Sequence, residues 1–197
     1  MNFKALAATA ALAFGALASA PASAVVVSSY SGAPGTTVDD FSATGLVSFD
    51  LNMASAQPAT KITFTVESGD VGGLLDFNAI VNNLFGAGIS HFSLVLDNAL
   101  FAAIGSVDDG GFGSNPTAAG SGNSALIDFA LPEFNFFSIG DPFASGATDW
   151  SISIAGLRAG DTFSLTAAAV PEPGSLPLLL AGLVGVAALG RKYRAKA

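Results

Sequence analysis

His91 is the only histidine of the chain, and no cysteine accompanies it. A Ser-His-Asp nucleophile would have to be built on that single imidazole, and no G-x-S-x-G elbow presents a serine to it. In "HFSLVLD", Phe92, Leu94 and Leu96 alternate with His91 and Ser93. That pattern predicts a half-exposed strand histidine rather than a catalytic one. Zinc with one histidine and no cysteine would need mostly carboxylates, which it rarely accepts. Asp108-Asp109, followed by Gly110-Gly111 and with Asn115 nearby, offers the hard oxygen ligands that calcium takes in loops. Their register is neither that of an EF-hand nor that of a nonapeptide repeat, and solvated turn chemistry accounts for the same residues. Two carboxylates about 5 to 9 Å apart could hydrolyse a glycoside, but nothing singles out one pair. Trp150 and Tyr30 could stack on a sugar, although Trp150 continues the inward side of a strand with Ile152 and Ile154. There is no phosphate-binding loop and no dinucleotide fingerprint. The expectation is a protein that is not an enzyme and has no cofactor and no metal, with Asp108 and Asp109 the candidates should calcium bind.

A different chemistry is open to Pro171-Glu172-Pro173, that of a substrate. The two prolines disfavour helix around Glu172 and keep it extended. An extended segment is open to a processing enzyme in a way a helix is not.

The elements that surround these residues read as strands. "GLVSFDLNM" sets Val47, Phe49, Leu51 and Met53 against Ser48, Asp50 and Asn52, and "KITFTVE" sets Ile62, Phe64 and Val66 against polar neighbours. The same alternation recurs with Ile127, Phe129 and Leu131, with Trp150, Ile152 and Ile154, and with Phe163 and Leu165. Residues 25–30 and 134–139 are further strands by composition. Period two gives each run one core face and one wet face. Glycine-rich turns such as "SGAPG", "SGDVGG" and "LRAGD" separate the runs. About eight short strands without alternating helices predict an all-β fold, an antiparallel β-sandwich of jelly-roll-like arrangement. In "LLDFNAIVNNLF", Leu74, Phe77, Val81, Leu84 and Phe85 also fit helical spacing, so a short helix is an alternative there. Residues 105–124 read as a long polar, glycine-rich loop.

The two ends differ from this middle. Lys4, an apolar run over residues 5–17, and small residues at Ala22 and Ala24 have the form of a secretory signal peptide over residues 1–24. Ala18-Ser19-Ala20 offers a second cleavage site. Residues 175–190 contain no charge, and Arg191, Lys192, Arg194 and Lys196 follow at once. Sixteen residues of helix reach about 24 Å, near the lower limit for a single C-terminal transmembrane helix. The basic tail, residues 191–197, would stay cytoplasmic, and the domain would lie across the membrane. What remains, residues 25–169, suffices for one domain with its own core. It holds Lys61 and Arg158 against fourteen acidic residues, a net charge of about −12. Such a domain is repelled by phosphate backbones, which excludes nucleic acid as a partner.

Residues 170–197 also resemble a known family. Pro171-Glu172-Pro173, the short apolar span and Arg191-Lys192-Tyr193-Arg194 look like the PEP-CTERM sorting signal of Gram-negative bacteria. The resemblance implies an exosortase as partner, a membrane enzyme that processes the tail near the triplet. It also implies an inner-membrane-anchored precursor in the cytoplasmic membrane and a mature form at the cell surface or in extracellular polysaccharide. The phenylalanine-rich middle is similar to domains found ahead of such tails. The FxDxF group of these proteins is a looser match, because "DDFSATGLVSFD" has its residues in another register. The function expected is that of a structural or interaction protein of the envelope or the exopolysaccharide matrix. A carbohydrate-binding module is the alternative, and a surface hydrolase follows it.

Overall fold

The computed structural model describes residues 24–143 and 149–171. These residues form two sheets. The first is fully antiparallel and six-stranded. It contains β1 (Val26–Ser31), β4 (Thr60–Thr65), β6 (Ile89–Asp97), β9 (Pro116–Ser121), β10 (Ser124–Glu133) and β13 (Thr162–Pro171), ordered β1-β4-β13-β6-β10-β9. The second contains β2 (Thr37–Asp40), β3 (Leu46–Met53), β5 (Leu74–Asn83), β8 (Val107–Asp108) and β11 (Phe136–Ile139), ordered β2-β3-β5-β11-β8. In the second sheet β12 (Ser151–Ser153) also pairs with β5, and β7 (Leu100–Ala103) pairs with β12.

The chain crosses repeatedly between the sheets. β3 belongs to the second sheet, β4 to the first and β5 to the second again. Each crossing reverses direction, so β3 and β5 come to lie side by side and parallel, from Leu46 opposite Asp76 to Met53 opposite Asn83. This pair departs from the expected all-antiparallel, jelly-roll-like arrangement. Residues 74–83 are strand, not helix. Leu75, Phe77, Ala79 and Val81 are buried at period two, whereas Leu74 and Leu84 of the helical reading are exposed. The β-branched pair Ile80-Val81 favours the pleated surface, and asparagine at 78, 82 and 83 is a poor residue for a helix interior.

The inner faces meet through aromatic rings. Phe49 of β3 lies 6.1 Å from Phe64 of β4, and Phe64 stacks on Phe163 of β13 at 5.0 Å. Phe137 of β11 sits edge-on to both Phe92 of β6 and Phe129 of β10, each at 5.0 Å. Phe77, Phe101 and Trp150 form a third group. Trp150 is wholly buried, and its indole N–H donates to the carbonyl of Ser106 at 2.7 Å. This hydrogen bond removes the cost of burying the polar end of the ring. The reading of Trp150 as core rather than sugar platform therefore agrees with the geometry.

Two further expectations need correction. Residues 105–124 are not one loop, because β8 and β9 occupy both ends of it. The small residues of β9, Ala118, Ala119 and Gly120, hide a strand within a composition typical of loops. Leu131 does not continue the inward side of Ile127 and Phe129. The β10 ladder shifts register between Asp128 and Glu133, and within that irregularity Leu131 turns to solvent, while Glu133 returns to the buried phase of Ile127 and Phe129. The expected signal helix lies outside the described residues, as does the transmembrane segment. No helix among the described residues is long and apolar enough to cross a membrane.

Because Phe137 joins strands of both sheets, Phe137→Ala is expected to cost about 3–5 kcal/mol of unfolding free energy. Phe41→Ala, at an exposed ring, should stay within about 0.5 kcal/mol of the parent. Urea unfolding followed by the fluorescence of Trp150 measures both.

Candidate sorting site at the end of the central strand

β13 is an interior strand, flanked by β4 and β6. Its pairing with β4 ends at Ala167 opposite Thr60, while pairing with β6 continues through Val170 opposite His91. A register shift then sets Pro171 opposite Ile89. Proline has no N–H to give to the ladder, so strands tolerate it only at ends, edges and bulges. Ala169 is wholly buried and Val170 is half-exposed. The first proline of the triplet therefore stands where the core ends, with no linker between them. Glu172, Pro173, the span 175–190 and Arg191, Lys192, Arg194 and Lys196 lie outside the described residues. At the other end Ala22 is also outside them. Ala24 is half-buried and precedes Val25, which is wholly buried. Both expected processing points thus abut core residues.

His91 and Asp128 face each other across β6 and β10, with Nδ1 and Oδ1 2.5 Å apart and both side chains about half exposed. Ser93, on the same face, donates instead to the carbonyl of Ala168 at 3.5 Å. Ser93 is thereby not aimed at the imidazole. The outer sides of β4, β13, β6 and β10 carry no Phe, Tyr or Trp. A flat stacking platform for sugars is not found on these four strands.

Asp108 and Asp109 have separate tasks. Asp108 accepts the N–H of Gly110 at 2.5 Å. Asp109 accepts the N–H of Gly111 on Oδ1 at 3.0 Å, and on Oδ2 it accepts the Ser114 hydroxyl at 2.9 Å and the Asn115 N–H at 3.1 Å. Burial pushes this carboxyl up, but the Ser114 hydroxyl and the N–H groups of Gly111, Asn115 and Ser114 outweigh it. Together they hold the group below the ordinary carboxylate range. Both oxygens are used to close the loop 109–115. Among the described residues no three His, Cys, Asp or Glu side chains gather as a metal site.

One polar cluster was not foreseen. Asp39 and Asp50 stand directly opposite on β2 and β3. Beside them the Asn52 amide donates to Asp39 Oδ2 at 3.0 Å and to Thr37 Oγ1 at 3.1 Å, and Asn82 donates to Asn52 Oδ1 at 2.9 Å. A hydrogen-bonded strip thus crosses β2, β3 and β5 on the outer face of the second sheet. Burial and then the charge of Asp39 raise the carboxyl of Asp50 above its usual range. Alternation placed Asp50 and Asn52 outward, but only the pairing register brings Asp39 to them.

The two carboxylates have opposite effects on acid stability. The folded value of Asp109 is depressed, so its stabilisation is present in neutral solution and lost as the pH falls through that value. Asp109→Asn should cost about 1–3 kcal/mol at neutral pH, and the difference from the parent should shrink on acidification. The folded value of Asp50 is raised, so its penalty is absent below the ordinary carboxylate range and complete above the raised value. Asp50→Asn should gain about 0.2–1 kcal/mol at neutral pH, again vanishing in acid. Denaturant unfolding in neutral solution and near about pH 3, below ordinary carboxylate values, checks both signs.

No curated protein and no solved structure matches the chain. Residues 169–195 match the PEP-CTERM protein-sorting motif, from the last core residue of β13 into the basic tail. The chain therefore carries, joined directly to its central strand, the sorting signal of an exported and exosortase-processed protein.

Proposed function

We propose that this chain is a structural or interaction protein of the cell envelope or exopolysaccharide matrix, delivered there by its C-terminal signal and without enzymatic activity of its own. The observation that carries the reading is the sorting motif beginning at the end of the central strand. In an interior strand, cleavage within the ladder would unpair core backbone, whereas cleavage beyond Pro171 leaves every pair of β13 intact. The triplet is therefore the first place beyond the last strand where the tail can be removed with the sheet intact. The acidic, cysteine-free sandwich is the cargo that remains.

Mass spectrometry of the protein from its host is expected to find a mature N-terminus at Val25 and a C-terminus close to Pro171. In cells without exosortase the tail to Ala197 should be retained. A mature surface form that keeps Arg191 and Lys192, or a protein that remains in the cytoplasm, would refute the sorting step.

Carbohydrate binding is the second reading, favoured by the strip of Asp39, Asn52 and Asn82. Side-chain amides and carboxylates of this kind suit the hydroxyl groups of a polysaccharide. Asn52→Ala with Asn82→Ala should release protein from the matrix into the medium and leave both cleavages unchanged. Unaltered retention would remove this strip from the reading.

A further inference from the structure

We propose that the end of the sandwich from which the chain leaves at Pro171 is a lipid-contacting face, seated on the membrane surface while the precursor is anchored. The proposal rests on the membrane-anchored precursor implied by the sorting motif. Only residues 172–174 separate Pro171 from the charge-free run 175–190. Even fully extended, the four steps from Pro171 to Ser175 span about 14 Å. The headgroup region is itself several ångströms deep. A domain held this closely cannot tumble freely, and one end of it must face the bilayer.

The end that faces it is fixed by topology. β13 runs toward Pro171, which pairs beside Ile89 at the start of β6, and Ile89 pairs with Glu133 at the end of β10. The connections 84–88, 109–115 and 134–135 gather there. Asn83 donates to the carbonyls of Ala87 and Glu133, and the N–H of Leu131 donates to the carbonyl of Ser114. On this end Leu84, Phe112, Leu131 and Phe134 are each more than half exposed. Phe112 and Phe134 line one groove of about 330 Å³ with Leu131 and Pro132.

Exposure alone does not distinguish the ends, since Leu74 and Leu100 are equally bare at the other. Charge does. The connections 32–36, 54–59, 84–88, 109–115 and 134–135 contain a single charged residue, Asp109, and its carboxylate is buried against its own loop. At the opposite end the connections 66–73 and 154–161 carry Glu67, Arg158 and Asp161 besides the buried Asp70, and the adjoining strand ends add the exposed Asp76 and Asp97. The strand ends beside the first group add Asp108, which is exposed, and Glu133, which is buried and lines the groove. A domain of about −12 net charge that turns this less charged end toward the anchor reduces repulsion from anionic headgroups. Exposed Leu and Phe side chains at that end enter the interfacial layer, where apolar burial is favourable.

The chain has no cysteine, so single-cysteine variants report on single places. The precursor, with its C-terminal tail intact, is reconstituted in phosphatidylcholine vesicles with or without doxyl-labelled lipid. A polarity-sensitive fluorophore is placed by Leu84→Cys or Phe134→Cys at one end and by Leu74→Cys or Leu100→Cys at the other. The expected result is blue-shifted emission, quenched by doxyl lipid, at 84 and 134, and aqueous, unquenched emission at 74 and 100. Vesicle flotation of the same samples reads the anchor separately. Protein that fails to float would overturn the anchor and with it the lipid face. Protein that floats with aqueous emission at 84 and 134, or with equal quenching at both ends, would overturn the face and leave the anchor standing. Blue-shifted but unquenched emission would put a second copy of the chain there instead of lipid, and would also overturn the proposal.

Discussion

The contact between the two inner faces carries the rest of the structure. No disulfide joins the sheets, since the chain has no cysteine, and the domain bears far more negative than positive charge. Self-repulsion at such a charge disfavours the compact state. The opposing term is apolar burial, and rings such as Phe49 against Phe64 and Phe137 against Phe92 and Phe129 supply it across the gap. Each phenylalanine buries a large apolar surface without introducing a polar atom that would need a partner. The one ring with a polar atom in this core, Trp150, is satisfied by a backbone carbonyl.

The path of the chain through this core explains where the sorting signal can be. β13 is the last strand in sequence and an interior strand in space. It is supported on both sides by β4 and β6 from Ser164 to Ala167, then by β6 alone, and its ladder stops at a proline. In the anchored precursor proposed above, the order of strands would bring the sparsely charged loops 32–36, 54–59, 84–88 and 134–135 toward the anchor and the charged connections 66–73 and 154–161 away from it.

Polar groups are used in this domain chiefly to close turns and to join strands. Asp109 gathers donors from its own loop, and Asn83 ties the turn before β6 to the end of β10. His91 meets Asp128 across a ladder, while Ser93 turns to a backbone carbonyl. The Asp39–Asp50 pair is the exception, a like-charge opposition that costs stability. The neighbouring amides of Asn52 and Asn82 keep that strip hydrogen-bonded and turned outward.

The all-β class, the inward residues of most strands and the sorting signal were legible in the sequence. Alternation at period two is local, and it identifies a core face wherever a strand has one wet side, as in β3 and β4. The sorting signal was legible for a similar reason, since triplet, apolar run and basic tail are contiguous. Four features were decided only by tertiary structure. The strand character of residues 74–83 was ambiguous because a short apolar run fits two periods, and pairing with β3 and β11 resolved it. The reversal at Leu131 depends on a register shift against β6, which no spacing within β10 encodes. The meeting of Asp39 with Asp50 and the gathering of Leu84, Phe112 and Phe134 join residues from separate parts of the chain. Such contacts depend on strand order and register, and those are set by how whole faces pack, not by any one segment.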